Sequence, residues 1–190
     1  WGVHGQFINV FESSAPRKLV VMPRGTFKST LGSVAYPIWR LLRNPDLTIL
    51  LDSELYSNSK NFIREIKAHL ESDKLTRLFG DFKTDTNWTE GSITINQRSH
   101  PYKESSITAG GLGATKVSQH YSTIIMDDIS ADKNSATIEL RQKVIDHYKM
   151  NIALLEPDGV LTVIGTRYAA DDIFGHIFSN EIQMEDPGTI

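Results

Sequence analysis

The chain of 190 residues carries a formal net charge of −3, is 39% hydrophobic and 23% charged, and contains no cysteine. Those proportions suit one α/β domain with a proper core, and two domains would each be cramped. They exclude a disulfide framework, thiolate chemistry, Cys-ligated zinc and a uniformly cationic DNA-coating surface, and no apolar run approaches membrane-spanning length.

Lys18 to Met22 reads as a buried first strand. Pro23-Arg24-Gly25-Thr26-Phe27 is a tight turn, and Lys28-Ser29-Thr30 opens a helix to about Leu42, with Leu31, Val34, Ile38 and Leu41/Leu42 at spacings of three and four. A strand, a turn and a helix opening in Lys-Ser-Thr can hold a nucleotide triphosphate. Backbone N–H groups and the helix dipole face the phosphates, Lys28 reaches the β/γ-phosphates, and the Ser29 hydroxyl ligates Mg²⁺. Against the pattern G-x-x-x-x-G-K-[ST], the two glycine positions hold Met22 and Phe27, leaving Gly25 to supply the loop's flexibility. An ordinary strand–turn–helix is the plainer alternative.

Asn44-Pro45-Asp46 stops the helix. Leu47 to Leu51 is a short strand, followed by Asp52-Ser53 and a helix with Phe62, Ile63, Ile66 and Leu70 on one face. Alternating strands and helices argue for a parallel sheet with right-handed crossovers. Asp73 to Gln97 is polar and turn-rich, and Ser92 to Asn96 and Glu104 to Thr108 read as short strands paired antiparallel at the sheet edge. Ala109-Gly110-Gly111-Leu112-Gly113-Ala114-Thr115-Lys116 is either a flexible surface loop or a mobile element that senses nucleotide or touches DNA.

Ser122 to Met126 is an apolar strand ending abruptly in Asp127-Asp128. A run of this kind marks a central strand buried on both faces, and acids at its carboxyl end sit where open α/β sheets bind ligands. Asp127 is then placed to hold Mg²⁺ opposite Ser29, and Asp128 to orient and deprotonate a water. A solvated Asp-Asp turn is the alternative. A long helix follows from about Ser135, with Ile138, Val144, Ile145 and Ile152 as buried positions. Pro157-Asp158-Gly159 reads as a turn, Val160 to Ile164 as a buried strand ending in Gly165-Thr166-Arg167, and Asp171-Asp172 as the cap of a short helix carrying Ile173, Phe174 and Ile177. His100, His120, His147 and His176 show no ligand spacing, and Trp39 and Trp88 read as packing residues.

Pro23-Arg24-Gly25-Thr26-Phe27-Lys28-Ser29-Thr30, Ile124-Ile125-Met126-Asp127-Asp128 and Gly165-Thr166-Arg167-Tyr168-Ala169-Ala170-Asp171-Asp172-Ile173-Phe174-Gly175 together resemble the ATPase domain of the large terminase subunit, the DNA-packaging motor of tailed bacteriophages. The resemblance runs from about Arg17 to Phe178. It implies a P-loop NTPase fold of the ASCE/RecA-like type, with a mainly parallel sheet flanked by helices, as a single domain over residues 1–190. It also implies Mg²⁺-dependent hydrolysis of ATP, with Lys28 on the phosphates, Ser29 and Asp127 on the metal, Asp128 as catalytic carboxylate, Arg24 near the γ-phosphate and Thr166 in the coupling motif. The implied partners are double-stranded DNA, a portal protein, a small terminase subunit and sister subunits in a pentameric ring, acting in the host cytoplasm with no membrane. Arg98, Lys116, Arg141 and Arg167 are candidates for a residue acting in trans or on DNA, or are solvated surface charges. The nuclease domain that accompanies this ATPase in large terminases has no counterpart here, so DNA cutting is not expected. Two alternatives stay open: a fragment of a two-lobed nucleic-acid helicase, and a catalytically silent nucleotide-binding assembly module.

Overall fold

A computed structural model describes residues 2–113 and 118–181. One sheet contains β1 (Arg17–Val21), β2 (Ile49–Ser53), β3 (Ser92–Ile93), β4 (Ile107–Ala109), β5 (Tyr121–Asp127) and β6 (Leu155–Gly165), in the spatial order β1-β6-β5-β2-β4-β3. All pairings are parallel except β3 with β4, which run antiparallel at the sheet edge through Ser92↔Thr108 and Ile93↔Ile107. The expected α/β architecture, a mostly parallel sheet flanked by helices, is the one the chain adopts.

Strand periodicity sorts the core into two layers. Ile49, Leu51, Ile125 and Ile164 face one side, against Phe7 and Phe11 of α1 (Gly2–Glu12), Ile38 and Leu41 of α2 (Tyr36–Arg43), and Ile63, Ile66 and Leu70 of α3 (Tyr56–Leu70). Leu50, Ile124, Met126, Leu161 and Val163 face the other, against Val144, Ile145 and Tyr148 of α5 (Ile138–Ala153) and Phe174 and Ile177 of α6 (Ile173–Asn180). The short α4 (Asp73–Phe79) follows α3 and buries none of its side chains. Both faces of the central strands are covered, which is why β2 and β5 read as unbroken apolar runs.

Three local expectations need correction. The helix after the first turn is not a plain α-helix, because Thr30–Ala35 is π-helical before it passes into α2. A Cβ on Gly32 would run into the Ile164 side chain and come 2.9 Å from Phe11 Cζ, so this segment lies hard against the sheet. Pro157-Asp158-Gly159 is not a turn between elements. It lies within β6, where the pairing jumps from Tyr121↔Leu155 to Thr123↔Val160 and the extra residues form a bulge. Ile138 is 70% exposed rather than buried, because α5 starts there, capped by Thr137, and its first turn lines an open groove beside α6. Among the described residues, no helix is long and apolar enough to cross a membrane.

Candidate functional site

The carboxyl ends of β1, β6 and β5 meet at Val21, Gly165 and Asp127, with β6 the single strand between the other two. Each strand delivers one of the sequence motifs to this edge. The loop leaving β1 is anchored where Met22 N donates to Gly165 O at 2.9 Å, and is folded on itself where Thr26 Oγ1 donates to Pro23 O at 2.8 Å. Gly25 takes φ 79° and Phe27 φ 57°, after which Lys28 and Ser29 begin the helix and Leu31 N donates to Phe27 O at 3.0 Å. Phe27 thus holds the left-handed backbone that the phosphate-loop pattern assigns to glycine. Its ring is 68% exposed and meets the His4 ring at 6.5 Å between centroids.

Opposite this loop stand the two acids. Lys28 is buried, and its Nζ lies 3.2 Å from Asp128 Oδ2. Asp128 also takes a left-handed φ, 46°, and its N–H donates to Ile164 O at 2.9 Å, so the chain turns sharply at the strand end. Gly165 makes room for this turn, since a Cβ there would lie 2.5 Å from Phe174 Cζ and 3.3 Å from Asp128 Oδ1. Asp127 is 1% exposed and its Oδ2 accepts a 2.7 Å hydrogen bond from Ser33 Oγ. Burial pushes its carboxyl up to about 6, opposed by hydrogen bonds from Ser33 and Ser29 and assisted by the charge of Asp128.

Asp127 Oδ1 and Asp128 Oδ1 are both buried without a hydrogen-bond partner. Buried carboxylate oxygens in that condition fit a cation, and all-oxygen donors suit Mg²⁺. Among the described residues no group of three or more His, Cys, Asp or Glu side chains could cage a metal alone. Mg²⁺ is commonly held by one or two carboxylates together with substrate phosphates, so Asp127 with the Ser29 hydroxyl is a fitting protein share of such a site.

The third motif clasps the loop from β6. Thr166 Oγ1 donates to Met22 O at 2.9 Å, while Arg24 donates to the Tyr168 hydroxyl from Nε at 3.2 Å and from Nη2 at 2.6 Å. Tyr168 is itself fixed by Asp172, whose Oδ2 accepts from Tyr168 N at 2.8 Å and Ala169 N at 3.2 Å while Oδ1 caps α6 at Gly175 N. Thr30 is exposed at the start of the π-helical segment.

Three other sequence candidates are engaged by partners of their own. Arg98 donates to Glu104 O at 2.6 Å and stacks over Tyr102, in the polar segment that enters the amino end of β4. Arg141 pairs with Asp171 at 2.9 Å, and Arg167 bonds the carbonyls of Ala169 and Ala170. Lys116 lies outside the described residues, as do Ala114 and Thr115 of the glycine-rich loop. Two features escaped sequence reading. Ser33, one helical turn beyond Ser29, holds Asp127. On the opposite sheet face, buried Asp52 accepts from Asn151 Nδ2 at 2.7 Å and contacts His147 Nε2, with His147 and Asn151 spaced i, i+4 on α5. That spacing was the signal available for both.

No protein-family model matches the chain, and no curated protein sequence does.

Proposed function

We propose that this chain is the ATP-hydrolysing domain of a DNA-packaging motor of the large-terminase type, a P-loop NTPase of ASCE/RecA-like build. One observation carries the reading: the loop lysine Lys28 and the paired acids Asp127 and Asp128 converge across one intervening strand. The end of that strand is bonded to the loop through Thr166. A phosphate loop, an acidic strand and a linking strand in this relation can bind a triphosphate, activate water and transmit the change.

In the proposed reaction, water attacks the γ-phosphorus in line, and the bond from phosphorus to the β,γ-bridging oxygen breaks. Asp128 orients the water and takes its proton. Lys28 exchanges Asp128 for the β/γ-phosphates on binding, which frees that carboxylate and offsets the oxygen charge. Asp127 and Ser29 would hold Mg²⁺, which when bound neutralises phosphate charge. Arg24, on the same loop, is available to the terminal phosphate. Double-stranded DNA, a portal protein, a small terminase subunit and a ring of sister subunits follow from the resemblance, as does a place of action at the procapsid in the host cytoplasm.

A silent nucleotide-binding module is a second reading, favoured by the strained, exposed Phe27 in the loop. The test compares Mg-ATP turnover without DNA, with blunt duplex and with a forked duplex. Turnover raised by blunt duplex without strand separation supports the motor. Strand separation favours a helicase, and tight ATP binding with no turnover under any condition favours the silent module.

A further inference from the structure

We propose that Tyr168 is a positioning residue that parks Arg24 when no triphosphate is bound and releases it when one arrives. The inference rests on the nucleotide reading above and adds the control of its loop arginine. The observation is the shared acceptor: both Nε and Nη2 of Arg24 donate to one phenolic oxygen, at 3.2 and 2.6 Å, with the guanidinium 5.7 Å from the ring centre. That Nε/Nη2 edge is the fork with which arginine grips a phosphate or carboxylate in bidentate fashion. One edge cannot serve the phenol and a phosphate together, so the hydroxyl acts as a neutral stand-in for an anion.

Placement supports competition. Arg24 is exposed, stands four residues before Lys28 on the same loop, and lies within electrostatic reach of Asp128 and Asp132. The phosphate carries full negative charge where the phenol carries none, and it accepts both donors of the edge on separate oxygens, so an incoming γ-phosphate wins the edge. The main chain at Tyr168 stays with β6 and α6, because its backbone N–H is held by buried Asp172, which also caps α6. Arrival of triphosphate therefore breaks one of the ties between the loop and the end of β6, while Thr166 keeps its bond to Met22.

The test is equilibrium binding of fluorescent Mg-ATP and Mg-ADP analogues to wild type, Tyr168→Phe, Arg24→Ala and the double variant, with unfolding midpoints recorded on each. Removing the hydroxyl deletes the parked state, so Tyr168→Phe should tighten the triphosphate by about threefold to tenfold. It should leave the diphosphate unchanged and have no effect in the Arg24→Ala background. Equal changes for both nucleotides, a weaker triphosphate, or the same gain without Arg24 would overturn the latch while leaving the nucleotide site standing. Wild type that binds neither analogue would remove both. Arg24→Lys keeps the charge and loses the fork, and should behave as Arg24→Ala. Retained triphosphate preference in Arg24→Lys would also count against the latch.

Discussion

The Lys28 ammonium rests 3.2 Å from the Asp128 carboxylate, with the lysine side chain 7% exposed and the aspartate 40% exposed. The lysine stem is fixed in protein, whereas its partner opens to solvent, so an entering phosphate can displace Asp128 without moving the lysine far. Lys28→Ala should weaken triphosphate binding by about 10- to 100-fold, the loss expected for a charged hydrogen-bonding group. Calorimetric titration with a non-hydrolysable triphosphate measures it, and unchanged affinity would remove Lys28 from the site.

Phe27→Gly should stabilise the protein or leave it unchanged. A non-glycine residue in the left-handed region costs about 1–2 kcal/mol, partly offset by the greater chain freedom glycine restores to the unfolded state. The exposed ring has little packing to lose. Urea unfolding should therefore give a gain of up to roughly 1 kcal/mol, and a loss exceeding that amount would mean that the ring is anchored.

Much of this edge was legible because it is local. Lys28-Ser29 after a turn, Asp127-Asp128 after an apolar run, and Asp172 before an apolar helix are contiguous signals, and each sits at the strand or helix end expected of it. What was not legible depends on chain segments meeting in space. Ser33 reaches Asp127 only because the π-helical segment lies against the sheet. Arg24 meets Tyr168 only because β1 and β6 are neighbours. The Pro157-Asp158-Gly159 bulge obeyed local turn chemistry and was overruled by parallel pairing on both sides of it. Residues Gly2–Glu12 carried no motif, and their role emerges from Phe7 and Phe11 covering the core.

Asp127 gives a pH signature in metal-free buffer. Its folded-state value, about 6, lies above its ordinary 3.8. The folded protein therefore holds a proton through that interval which the unfolded chain has released. Its contribution to stability is complete below the lower value and is lost as pH rises through the upper one. Asp127→Asn retains an oxygen for Ser33 and escapes this loss. Denaturant unfolding should show the variant gaining on wild type between about pH 4 and 6, by a few kcal/mol at the upper end. A difference that does not vary over that range would mean that Asp127 titrates normally.

The buried Asp52–His147–Asn151 group predicts a stability effect on the sheet face away from the loop. His147→Ala removes one of two partners from a carboxylate that is 2% exposed. The expected loss is about 1–3 kcal/mol in denaturant titration, the cost of leaving a buried acceptor short of a hydrogen-bond partner. A loss under roughly 1 kcal/mol would show that Asn151 alone satisfies Asp52.

The most direct measurement is Mg-ATP hydrolysis by wild type and Asp128→Asn over a wide range of protein concentration. Asp128→Asn should bind Mg-ATP as wild type does and turn it over about 10²- to 10⁴-fold more slowly, the range for loss of a positioned base. Wild-type specific activity should rise with concentration if a neighbouring subunit completes the site. Near-normal turnover by Asp128→Asn, or no turnover by wild type at any concentration, would contradict a hydrolytic site built on Lys28 and Asp128.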